Sequence, residues 1–386
     1  MTPTACQLKK LKMPRAAATV LLVASLMGCS LMGTGASKPK PAELGVNVST
    51  LGVRQVWSAQ LGSQGSAQLA PHVNSTTVTL ASVDGVVAAI DARTGRDIWR
   101  LHLGEMLAAG VGSDGNWTAV VSQKNELIVL KAGLEQWRQH LSAQVYTAPL
   151  VAGNRVFVLA ADRSVMAFDV TNGYKLWSQS KSSDSLILKN SGVIASLGDN
   201  LMVGISGRLL NLNPNTGAVQ WEVPLASPRG TNDVERLVEL VSPISRDDNS
   251  VCIRAFQSAI GCIDTKRAVV GWTQLSNGAT GLAGDVSAVY DTQKNGVVSA
   301  WNRELGTQNW TSDYLKYRNL TAPLLLGRSV VIGDDSGLVH FLSREDGAPL
   351  DRLTTDASGI ASTPVAAADT LVIVTLKGSV FGFRPD

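Results

Sequence analysis

Beyond residue 50 the chain is built almost entirely of short apolar runs separated by tight polar turns. Val156 to Ala160 reads as a strand, Asp162-Arg163-Ser164 as a turn and Val165 to Asp169 as the next strand. Thr171-Asn172-Gly173 then turns the chain again, and a further run leads outward from Leu176. Apolar runs bounded by Gly, Asn, Asp and Ser are the pattern of β-strands joined by turns. One phrase recurs within this pattern. An apolar run ends in a polar residue, a turn follows, and a Trp stands eight positions later, as in Asp91 to Trp99, Asp169 to Trp177, Asn213 to Trp221, Asp264 to Trp272 and Asn302 to Trp310. Ser343 to Asp351 is a further copy with the Trp lost.

Trp57, Trp99, Trp137, Trp177, Trp221, Trp272 and Trp310 mark the phase, and Asp351 fills an eighth slot; successive gaps are 42, 38, 40, 44, 51, 38 and 41 residues. Such a period with one aromatic per copy predicts repeated four-stranded units rather than one long core. Pro149, Pro243, Pro323 and Pro364 recur before the first strand of a unit, a position that tolerates a missing amide donor. The ends are complementary. Val53 to Gln60 carries a Trp but lacks three preceding strands, whereas Thr363 to Arg384 supplies those strands and then stops. Joining the two predicts an all-β, eight-bladed β-propeller over residues 51–386, with four-stranded antiparallel blades and a ring closed by N- and C-terminal strands. The seven phased Trp residues are expected to wedge between neighbouring blades. Trp117 and Trp301 are off phase and are read as strand fillers.

Composition supports this and adds an address. The charged fraction of 17% is low and the 36 Gly residues are many, which suits numerous turns and argues against disorder. Residues 1–28 carry Lys9, Lys10, Lys12 and Arg15, then an apolar run from Ala16 to Met27. That is the layout of a cleaved secretory signal, and the run is too short to span a bilayer. Loss of those four cations takes the formal charge from +3 to −1, a poor balance for binding nucleic acid. Leu26-Met27-Gly28-Cys29 resembles the lipobox of bacterial lipoproteins. That resemblance implies a lipidated Cys29 at the mature N-terminus, and Ser30 in place of Asp points to the outer membrane. Residues 29–50, with Lys38-Pro-Lys-Pro41, are expected to be a flexible tether. Cys252 and Cys262 are equidistant from a turn near Gln257. They can therefore face each other across an antiparallel pair and form a disulfide, favoured in an exported chain, or remain two buried thiols.

The Asp-x-x-x-Gly-x-x-x-Trp core is similar to the pyrroloquinoline-quinone-type propeller repeat. A lipobox followed by eight such blades resembles the BamB family, the lipoprotein subunits of the outer-membrane β-barrel assembly machinery. The stretch from Asn319 to His340 is the most family-like. The resemblance implies a non-enzymatic scaffold on the periplasmic face of the outer membrane. Its implied partners are the POTRA domains of BamA, other subunits of the machinery and unfolded strands of outer-membrane proteins. It implies no cofactor. Quinoprotein dehydrogenases share the repeat and are the alternative, and a glycan-binding or adhesive propeller is a third reading. Against an enzyme, the chain has no adjacent Cys pair, no Gly-x-Ser-x-Gly elbow and no phosphate loop. His72, His102, His140 and His340 are scattered without metal-ligand spacing. Asp334-Asp335-Ser336-Gly337 reads as an acidic turn rather than a cation site.

A propeller without chemistry binds through its connections. From the Trp slot to the next Pro takes 14 residues after Trp57, 12 after Trp137, and 13 after Trp310 and Asp351. After Trp221 it takes 22, and after Trp177 it takes 17 to the equivalent Ile194. Two adjacent units thus lengthen the same kind of connection. Ser185 to Asn190 and Pro228 to Leu240 mix apolar and charged residues, as recognition patches do. In the BamB family these two loops contact the POTRA domains. The family's Leu-x-Leu-Arg is matched by Leu186, Leu188 and Lys189, and Lys loses the bidentate fork of Arg. Its second motif is matched by Glu235, Arg236, Leu237 and Glu239, without a clear second following acid.

Overall fold

The computed structural model describes residues 39–65, 69–180, 188–227, 237–247 and 249–386. These form 32 strands in eight antiparallel four-stranded sheets. Seven sheets are meanders of consecutive strands, spanning 72–102, 112–140, 150–179, 194–224, 240–275, 282–312 and 324–354, here blades one to seven. Blade eight takes three strands from 365–385 and its fourth from Val53–Gln60, which pairs antiparallel with Ser379–Pro385. The ring is an eight-bladed β-propeller closed by pairing the first strand with the last inside one blade.

Burial explains why the apolar runs do not alternate cleanly with polar residues. In blade two, Val121, Leu127 and Val129 pack toward Val156, Val158 and Phe168 of blade three. Their neighbours Val120, Ile128 and Leu130 pack the other way, toward Ala81 and Val87 of blade one. Successive strand residues face opposite sides, and both sides of a blade meet another blade. Each inner strand therefore reads as continuously apolar.

The outer strand closes each seam with its Trp. Trp137 of blade two donates from Nε1 to Val170 O of blade three at 2.8 Å and lies 6.4 Å, centroid to centroid, from Phe168. Its ring covers Gly173, whose φ is +75°; a Cβ there would come within 2.7 Å of the indole. The turn Gly is required twice over, for its left-handed backbone and for the approach of the ring. The same indole-to-carbonyl bond is made by Trp57, Trp177, Trp272 and Trp310. Of the two off-phase residues, Trp301 is buried and donates to Asp291, the partner of a fully buried Arg254.

Three local features bear on function. Cys252 and Cys262 are directly opposed in blade five and are joined by a disulfide, with Cα atoms 4.0 Å apart. Pro149, Pro323 and Pro364 precede first strands, but Pro243 lies inside Leu240–Asp247 at an irregularity between Val241 and Ser245, after a cis peptide bond. The tether expected over 29–50 lies partly outside the described residues, which begin at 39. Residues 42–50 are tied by hydrogen bonds to the outside of blade seven and the connection before it, because backbone amides and carbonyls there find partners on an exposed strand edge.

Candidate partner-binding cleft

Up-and-down strand order sorts the loops onto two faces. The turns that carry the repeated Gly lie on one face. The other holds the connections between blades, together with the turn between the second and third strands of each blade. The described residues of both lengthened connections, 188–193 and 225–227 with 237–239, are therefore on this second face, next to each other around the ring.

They converge on blade three. Glu239, at the start of blade five, accepts from Nε and Nη2 of Arg163 at 3.2 and 2.9 Å. Its other carboxylate oxygen accepts from the Ser206 amide of blade four at 3.3 Å. One carboxylate thus ties three blades together. Arg163 and Glu239 keep only 9% and 16% of their side-chain surface exposed, so the pair is mostly shielded from water, and such charge-assisted bonds exceed neutral ones in strength. Arg163 sits at φ +65° in its turn, where Gly85, Gly296, Gly337 and Gly378 stand in other blades. A long side chain held in the left-handed region is a strained choice, and here the guanidinium it delivers accounts for it.

The other connection is anchored equally firmly. Gly192 N donates to Thr147 Oγ1 of the preceding connection at 2.9 Å, and Ser191 and Ser242 hydroxyls meet at 3.0 Å. Asn190 Nδ2 reaches Ala279 O, on the connection between blades five and six, at 3.2 Å. What remains accessible is a cleft. Leu188 is half-buried and lines a small cavity with Arg163 and Glu239. It also lines a cavity of about 390 Å³ with Leu69, Tyr146, Lys189 and Phe256. Lys189 is exposed, with its ammonium 5.7 Å from the Tyr146 ring centroid. Beyond that cavity the axial opening is lined mainly by small and hydroxyl residues, among them Ala70, Ser242, Thr280, Thr321 and Ser362.

Of the residues expected to meet a partner, the structure brings Leu188 and Glu239 to one cavity, and Leu188 and Lys189 to the other. Leu237 is half-buried, and its neighbour Val238 folds into the core between blades four and five. Leu186 and Arg236 lie outside the described residues, as does Cys29. The reading of Glu239 changes most, since its carboxylate is engaged within the chain. Arg163, Tyr146 and Asn190 were not singled out from the sequence. Only Arg163 leaves a signal there, as an Arg where four other copies carry Gly. Among the described residues, no group of three or more His, Cys, Asp or Glu is placed to hold a metal ion.

Known proteins with this pattern are found in both sequence and structure. A family model described as outer membrane protein assembly factor BamB matches residues 83–312. The outer membrane protein assembly factor BamB of Burkholderia pseudomallei is 36% identical over 381 residues, covering 98% of this chain and 99% of that protein. The crystal structure of BamB from Moraxella catarrhalis superposes with a TM-score of 0.79 at 22% identity, covering 86% of this chain and 99% of the other. A quinohemoprotein alcohol dehydrogenase from Comamonas testosteroni reaches a TM-score of 0.66 at 14% identity, covering 89% of this chain and 78% of its own. At that identity the likeness is one of fold.

Proposed function

The chain belongs to the BamB family of outer membrane protein assembly factors, and from that premise we propose that it is a non-enzymatic scaffold of the outer-membrane β-barrel assembly machinery. In this reading it is anchored by lipid on Cys29 at the periplasmic face and grips the POTRA region of BamA through the cleft between blades three and five. The observation that carries the reading is the convergence of the two lengthened connections on one cleft, with Leu188 and Lys189 left accessible beside Tyr146. An apolar side chain beside an aromatic suits an interface centre, with the Lys189 cation at its polar rim. Glu239 then acts at one remove. By pairing with Arg163 it fixes both connections in the shape that a partner meets.

The axial opening supports a scaffold over a dehydrogenase. A quinone held with Ca²⁺ needs carboxylate oxygens around the metal, and the residues named at the opening offer hydroxyls and small side chains instead.

A pull-down with the POTRA region of BamA tests the reading. Wild-type protein should retain it, and Leu188→Asp should weaken retention by about 2 kcal/mol, the scale of a buried interface anchor. Glu239→Lys should also weaken it, and Arg163→Ala by a similar amount, because both open the same clamp. Absence of BamA from the wild-type eluate, or equal retention by Leu188→Asp, would defeat the reading. For the anchor, Cys29→Ala should move the protein to the soluble fraction.

A further inference from the structure

The chain's own N-terminal segment is bound at the place where the repeat breaks. In six seams the outer-strand Trp of one blade covers the left-handed turn Gly of the next, as Trp57 covers Gly95 and Trp310 covers Gly347. Asp351 holds the Trp position in blade seven, and the blade it leans toward is blade eight. There the third strand ends at Pro385 and the fourth begins at Val53, so the two chain ends stand where the Gly turn would be. A Trp in blade seven would have no turn to cover.

Residues 42–50 occupy that side of the blade instead. Asn47 donates through Nδ2 to Asp351 Oδ1 and to Arg352 O, both at 3.0 Å, and Asp351 is buried. Thr50 donates through N and Oγ1 to Leu350 O at 2.9 and 2.8 Å. Arg352 donates to Gly45 O, and Tyr314 donates its hydroxyl to Leu44 O at 2.8 Å. Leu44 packs on the apolar cluster that holds Trp310 and Tyr314. At the far end, Ala42 N donates to Lys316 O at 2.9 Å, and Arg318 donates to Ala42 O at 3.2 Å while its other nitrogen holds buried Asp334. Val46 and Val48 remain exposed, so polar bonds and the single Leu44 anchor fix the segment rather than general burial.

We infer that residues 42–50 are an intramolecular strap whose binding site is the Trp position surrendered to Asp351. The strap covers the outer edge of blade seven, beside the ring's closing seam. It climbs from the face of the Gly turns to the face of the connections, and hands the preceding chain off at Lys316–Arg318, on the face that bears the cleft. The missing Trp of blade seven and the fixed start of the propeller are then one device.

Thermolysin digestion of the mature full-length chain tests this, read at the bonds before Leu44, Val46 and Val48. The wild type should be protected there. Asp351→Ala should speed cleavage about fivefold, the effect of one lost strap hydrogen bond on a local opening, and Asn47→Ala, which loses two, by more. Asp351→Asn, which keeps an acceptor oxygen, should restore most of the protection. Asp351→Trp, which restores the repeat, should free the strap without raising the thermal midpoint. The inference is overturned if Asn47→Ala and Asp351→Ala are cut at the wild-type rate, or if Asp351→Trp raises the midpoint with the strap still protected. Should Asp351→Ala fail to fold, Asn47→Ala decides alone, since its side chain is exposed. No binding partner enters this measurement, so its outcome is separate from that of the proposed interface.

Discussion

The seam between blades two and three and the seam between blades seven and eight solve one problem with different materials. In the first, Trp137 lies on Gly173 and Phe168, and the outer rim is aromatic. In the second, the inner part is still apolar, with Phe341, Ile373 and Phe383 in one cluster. Its rim is polar: Asp351 binds Asn47, and Asp356 accepts from Ser379 and Thr375 of blade eight at 2.7 and 2.8 Å. An aromatic wedge draws on burial, which is indifferent to pH. A rim of carboxylates draws on charged acceptors and should fail in acid. The ring is therefore expected to be strongest along its repeats and conditional where its ends meet.

The largest effect should come from removing the wedge. Trp137→Ala deletes a half-buried indole and its bond to Val170 O, and a loss of about 3 kcal/mol is expected in urea unfolding. A loss no greater than that of an exposed substitution would show that the rim contributes little. Gly173→Ala attacks the same seam from the other side. The φ of +75° and the Cβ approach of 2.7 Å should together cost about 1–2 kcal/mol, measured in the same way. The smallest effect sharpens the contrast. Burial would raise the Asp356 carboxyl, but hydrogen bonds from Ser358, Ser379 and Thr375 outweigh it and hold the group down at about 2. A carboxyl held low in the fold contributes stability that is fully present above its ordinary value of about 4 and is lost as pH falls toward that of the fold. Asp356→Asn should therefore show a flatter thermal midpoint than the wild type between about pH 4 and pH 2, whereas Trp137→Ala should fall in parallel with the wild type. Parallel curves for all three would erase the distinction between the seams.

Much of the fold is legible in the sequence because the repeat is local. A turn, an apolar strand and a Trp at a fixed offset are decided within a single blade, and periodicity reveals them. The complementary ends, Val53–Gln60 and Ser379–Pro385, could be matched for the same reason. Even the two departures from even spacing could be located by counting from Trp177 and Trp221. The site's interior was not legible in this way. Arg163 and Glu239 stand 76 residues apart, and only the curvature of the ring brings a turn of blade three against the entry to blade five. The resemblance placed Glu239 among partner contacts, and the structure adds that its carboxylate binds Arg163 and the Ser206 amide.

The sequence alone thus determined the number of blades, the role of the phased Trp residues and the two connections where function was to be sought, since each follows from short-range pattern repeated at one period. Only the tertiary structure decided what Glu239 binds, what Asp351 pairs with in the Trp slot and where residues 42–50 lie. Those depend on residues that meet across the ring or at its closure, and a pattern confined to one repeat carries no information about such a meeting.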